Sequence, residues 1–131
     1  NFQYITLNEG LSHADANTII KDNKGFLWIG TYSGLNRFDG IHIKSYYNNL
    51  EGAERPNANR ILDMDISDDG IIWIGSAYGI YSFDTNTETF TNYQAKDNLN
   101  NKAIWKIIIQ TQYIYLQDKN NKIHLYKIDK K

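Results

Sequence analysis

The sequence predicts an all-β chain made of β-propeller blades, about three four-stranded antiparallel units that form an incomplete propeller. Three observations predict it. The segment GFLWIGTYSGLNRFD from Gly25 recurs from Gly70 as GIIWIGSAYGIYSFD, an offset of 45 residues. The apolar residues of each copy are mainly Ile, Tyr, Phe and Trp, in runs of four to six separated by turn residues, a pattern of strands. Four strands in such a unit match a propeller blade of about 40–45 residues, and helical spacing is not sustained anywhere.

Taken in order, residues 2–7 are a strand-like run with no partner in their own copy. Residues 1–9 are therefore expected to supply an outer strand, joining the edge left open after Lys127 within one chain or between chains. Residues 10–50 make the first blade, with strands over 16–21, 26–30, 35–38 and 41–47. Asp22-Asn23-Lys24-Gly25 marks its first hairpin, because an Asp side chain caps the turn and Gly accepts positive φ. Residues 51–95 repeat the plan with strands over 61–66, 71–75, 80–83 and 89–93 and the turn Asp68-Asp69-Gly70. Residues 96–131 form a degenerate third blade that has lost both glycines. Its strands at 104–109, 113–117 and 123–127 leave the fourth unfilled. Trp28 and Trp73 are large enough to fill the wedge between blades, and Gly30 and Gly75 let backbone approach beside them.

Composition excludes several classes of function. Fourteen Lys and Arg against fifteen Asp and Glu leave a net charge of −1, with no basic surplus for phosphates, so no nucleic-acid partner is expected. Apolar runs such as 70–74 and 107–109 fall far short of the roughly 20 residues of a membrane helix, so no membrane insertion of this segment is expected. The chain has no cysteine, hence no disulfide framework or thiolate site. It opens at Asn1 without an initiator Met or leader and is expected to be processed or cut from a longer protein.

The motif Gly10-Leu11-Ser12-His13, followed by Asp22 and Gly25, Leu27-Trp28-Ile29-Gly30-Thr31 and Gly34-Leu35-Asn36-Arg37-Phe38-Asp39-Gly40, resembles the two-component regulator propeller repeat. The second copy departs from it at Tyr81 and Ser82, and the third keeps only the hydrophobic spacing. This family fills the extracytoplasmic sensor regions of hybrid two-component regulators, mostly in gut Bacteroidetes. The resemblance implies a periplasmic, ligand-sensing segment, with an oligosaccharide as the expected ligand and no catalysis of its own. The remaining blades of a parent sensor, or self-association, would complete the ring. The alternative is a propeller scaffold that binds another protein and no small molecule.

No enzyme motif or cofactor site is read from the residues. His13, His42 and His124 sit in different copies with no paired ligand at metal spacing, so no metal site is expected; His13 should hydrogen-bond in its loop. The run Asp65 to Gly70 has a passing likeness to a calcium loop, but Ser76 stands where the closing Glu belongs, and a strand entering an Asp-Asp-Gly turn is the stronger reading. Glu9, Glu51, Glu54 and Glu88 are scattered through loops, and Lys119, Lys122, Lys130 and Lys131 read as a charged, solvated edge. The ligand-binding candidates are Tyr32, Asn36, Arg37, Tyr78 and Trp105, since Tyr and Trp offer flat faces for sugar rings with a polar edge for hydroxyls. Trp105 lies in a strand that could bury it.

Overall fold

The computed structural model describes residues 1–50, 52, 55–93 and 102–128. Strands β1 (Ala16–Lys21), β2 (Leu27–Thr31), β3 (Gly34–Phe38) and β4 (Ile43–Tyr46) form a first antiparallel sheet in sequence order. Strands β5 (Ile61–Ile66), β6 (Ile71–Ser76), β7 (Gly79–Asp84) and β8 (Thr89–Asn92) form a second sheet of the same plan. Strands β9 (Ile104–Gln110), β10 (Tyr113–Asp118) and β11 (Ile123–Lys127) form the third, which has three strands. Each sheet is one blade, and β1, β5 and β9 lie side by side as the inner strands.

The strand expected over residues 2–7 is not formed. A strand needs a partner ladder, and β11 is a free edge of the third sheet among the described residues. The N-terminal run instead leads into a 3-10 turn, Leu7–Glu9, closed by a capping box: Asn8 N–H donates to Thr6 Oγ1 at 3.2 Å and Thr6 N–H to the Glu9 carboxylate at 3.2 Å. Phe2 and Tyr4 are left exposed.

The link between the first two blades also holds a short helix, α1 (Arg55–Ala58), which admits Pro56 in its first turn. Asn59 fastens it: its Nδ2 donates to the carbonyls of Asn48 and Arg55 at 2.9 Å, and its Oδ1 accepts from Asn48 N–H at 2.7 Å. Glu51, Glu54, Lys130 and Lys131 lie outside the described residues.

The core sits in the seams between blades. Trp28 and Leu35 of the first blade pack on Ile61, Met64, Ile72, Ile74, Tyr81 and Phe83 of the second. In the next seam Trp73 meets Ile104, Ile107, Ile114 and Leu116. Gly30 and Gly75 are required for this approach: a Cβ on Gly30 would lie 2.6 Å from Ile61 Cγ2, and one on Gly75 would lie 2.8 Å from both Cγ2 and the carbonyl oxygen of Ile104. Asp63 and Asp65 tie the inner strands together, accepting from Ile107 N–H at 2.9 Å and Ile109 N–H at 2.8 Å. Asp65 therefore serves an inter-blade staple.

Candidate functional site

The blades present two ends. The upper end carries the β2–β3, β6–β7 and β10–β11 turns, and the lower end carries the β1–β2, β5–β6 and β9–β10 hairpins. At its upper end each inner strand has a register shift, which leaves Asn17, Leu62 and Trp105 as the unpaired residues of three corresponding bulges. A bulge turns its residue out of the ladder. Trp105, whose strand could have buried it, is therefore left half exposed, at 50%.

Tyr32 occupies the β2–β3 turn at the same end. Its ring lies under the guanidinium of Arg60, with Cζ 4.3 Å from the centroid, and 6.0 Å from the His13 ring. Arg60 escaped the sequence reading, because the partner that marks it comes from the preceding blade. His13 is fixed by Asp15 N–H donating to Nδ1 at 2.9 Å, the loop hydrogen bond expected of it. Tyr78 belongs to the β6–β7 turn but is not the counterpart of Tyr32: its N–H donates to Ser76 Oγ as Ser33 N–H donates to Thr31 Oγ1. The structure thus places Tyr32, Tyr78 and Trp105 at one end of the molecule.

Asn36 and Arg37 lie elsewhere. Asn36 is fully buried. Its Nδ2 donates to Ser12 Oγ at 2.9 Å and its Oδ1 accepts from Ser12 N–H at 3.2 Å and Ser45 Oγ at 2.8 Å, which stitches the Gly-Leu-Ser-His segment to the first blade. With its amide consumed, Asn36 is a structural residue, and the sequence expectation of a ligand contact is corrected.

Arg37 reaches into the first seam, over the Phe26 ring and 3.5 Å from Glu88. Glu88 also accepts from Tyr46 O–H at 2.5 Å and Lys44 Nζ at 3.4 Å. This convergence is not visible in the sequence, where Glu88 reads as one loop carboxylate among several. The Tyr46 hydrogen bond holds the Glu88 carboxyl below its ordinary range, and Lys44 and Arg37 add to the effect. Burial, then the same bond, pushes the Tyr46 phenol up to about 12.

Among the described residues no group of three or more His, Cys, Asp or Glu side chains could hold a metal ion. His124 is engaged by Asp118, whose carboxylate lies 2.9 Å from Nε2. That bond, with backbone N–H groups of Lys122 and Asn120, lowers Asp118 to about 2. The upper end can offer aromatic faces, a cation and an imidazole to a polar ligand, an arrangement for binding.

Residues 10–33 match the model of the family described as "Two component regulator propeller". The match runs from the Gly-Leu-Ser-His segment through β1 and β2 of the first blade. Over 52 residues the chain is 44% identical to histidine kinase P4 of Formosa agariphila, covering 40% of this chain and 4% of the relative.

Among solved structures, the extracellular domain of the hybrid two component system BT3049 from B. thetaiotaomicron superposes with a TM-score of 0.73 at 22% identity, covering 95% of this chain and 20% of that one. The extracellular domain of the system BT4673 from the same organism gives 0.76 at 19% identity, covering 95% and 17%. Virginiamycin B lyase from Staphylococcus aureus gives 0.59 at 19% identity, covering 92% and 44%. At these identities the structures establish the propeller-blade fold. The chain spans about a fifth or less of the extracellular domains it resembles, and no helix among its described residues is long and apolar enough to cross a membrane.

Proposed function

We propose that this chain is part of the ligand-sensing propeller of a hybrid two-component signalling protein, the periplasmic portion of an inner-membrane sensor, and that it binds an oligosaccharide without acting on it. The observation that carries this reading is the two-component regulator propeller repeat in the first blade. The oligosaccharide rests on chemistry: Tyr32, Tyr78 and the half-exposed Trp105 share one end of the fold, with Arg60 against Tyr32. The outward face of the third blade exposes Ile108, Ile123 and Leu125, and that of the first exposes Ile19; further blades or further copies of the chain cover them.

A thermal-shift screen against an oligosaccharide panel tests the reading, because a ligand that binds only the folded state raises the melting midpoint. The expected result is a shift from one or more glycans that disappears in Tyr32→Ala and Trp105→Ala. A shift untouched by either substitution removes the upper end from the reading. The scaffold alternative draws on the exposed apolar face of the third blade. Capture of a protein partner through that face, with no glycan response, would favour it.

A further inference from the structure

The two seams are built on one frame and finished differently. In the first, Arg37 stands opposite Trp28 and Lys44 stands opposite Arg37. In the second, the corresponding ladder runs from Trp73 to Ser82 to Thr91. Both seams keep an indole against a tyrosine: Trp28 with Tyr46 at 5.7 Å, and Trp73 stacked on Tyr93 at 5.1 Å and 27°. Arg37 and Lys44 fill the outer part of the first seam by reaching Glu88 across it. Ser82 and Thr91 are too short to do so, and a groove of about 490 Å³ opens between the second and third blades. That volume falls within the roughly 300–1,000 Å³ of small-molecule sites.

We infer that this groove is a second binding site, for a neutral saccharide of one or two rings. Its base is the partly exposed Tyr93 ring, backed by the buried Trp73 indole stacked against it, with the Tyr93 hydroxyl 2.9 Å from Ser82 Oγ. Thr89 and Thr91 add hydroxyls along the wall, so donors and acceptors stand beside an aromatic surface, the combination a polyhydroxylated ring requires.

The carboxylates set the charge preference. Asp68, Asp69 and Asp84 line the groove and, among the described residues, no basic residue does, so an anionic sugar meets like charge there. Only the choice of sugars, among polyols, as the ligand rests on the sensor reading.

The test is saturation-transfer NMR with maltose, cellobiose and lactose as neutral probes and digalacturonate as the acidic one. The inference expects transfer from at least one neutral disaccharide and none from digalacturonate. Tyr32→Ala, which removes the upper-end platform, should leave transfer from the groove, and adding the double substitution Ser82→Arg/Thr91→Lys, which reinstates the pair that fills the first seam, should abolish what remains. Thr91→Val, close to isosteric, covers the case in which the double variant fails to fold and should weaken binding about threefold to tenfold, the worth of one hydrogen bond. No transfer from any neutral probe, equal transfer from digalacturonate, or transfer indifferent to both groove variants overturns the inference. Transfer lost only in Tyr32→Ala overturns the groove while leaving the upper-end sensor reading in place.

Discussion

The outer part of the first seam is closed and that of the second is open, although the strands on either side follow the same plan. In the first, Trp28, Tyr46, Phe83 and Phe90 form a continuous aromatic cluster, with Phe83 and Phe90 centroids 4.7 Å apart. The Trp28 indole N–H is tied to Asp22 at 2.8 Å, and Glu88 closes the outside. In the second, Trp73 and Tyr93 stack, Tyr126 stands 6.3 Å from Tyr93, and the wall beyond is Ser and Thr. Repetition of the backbone thus leaves the surface between blades free to vary. The two residues that follow each tryptophan across the ladder mark the difference, Arg37 and Lys44 in the first blade and Ser82 and Thr91 in the second.

The largest effects should separate the two tryptophans. Trp28→Ala should cost about 3–5 kcal/mol, the usual loss for a fully buried Trp, and it takes from the buried Asp22 the donor to its Oδ2. Trp73 borders the groove, so Trp73→Ala should cost about 1 kcal/mol less, having no equivalent Asp bond to lose. Urea denaturation reads both, and equal losses would break the comparison. The glycines come next. Gly30→Ala and Gly75→Ala should each cost about 1–3 kcal/mol by overpacking, with Gly75 the worse because its new Cβ meets the Ile104 carbonyl as well as a side chain. A larger loss at Gly30 would contradict the packing described.

The smallest effect is a pH dependence in the Glu88 clamp. Its carboxyl titrates lower when folded than when unfolded, so its stabilisation is full above the unfolded value, about 4.3, and is lost as pH falls through the folded one. Glu88→Gln should lower the melting midpoint modestly at pH 7 and flatten its fall between pH 5 and pH 3, on the order of that titration range. Asp118 should act similarly at lower pH, its contribution waning from about 3.9, the unfolded value, toward about 2. A midpoint equally acid-sensitive in Glu88→Gln and the parent protein would exclude the clamp as a source of the first transition.

Local patterns carried the strands into view. The eleven strands among the described residues lie within two residues of their expected bounds, because alternation and Asp-Gly turns are short-range signals. The N-terminal run failed for the opposite reason. Its alternation is real, but pairing needs a partner edge, and Thr6 and Glu9 spell a capping box that prevailed. The same boundary divides the candidate site. Turn positions disclosed Tyr32 and Tyr78, whereas the burial of Asn36, the capture of Arg37 by Glu88 and the stacking of Arg60 on Tyr32 all depend on residues from a distant part of the chain. The groove, too, becomes visible only when Ser82 and Thr91 are set against Arg37 and Lys44 in register.

Indole hydrogen exchange tests the contrast between the seams most directly, since Trp28, Trp73 and Trp105 each give one side-chain N–H signal and report on the closed seam, the open seam and the exposed upper end. The account predicts that Trp105 exchanges first, Trp73 next and Trp28 last, the last only on global unfolding. A Trp73 indole protected as strongly as Trp28 would mean that the second seam is closed, and would contradict it.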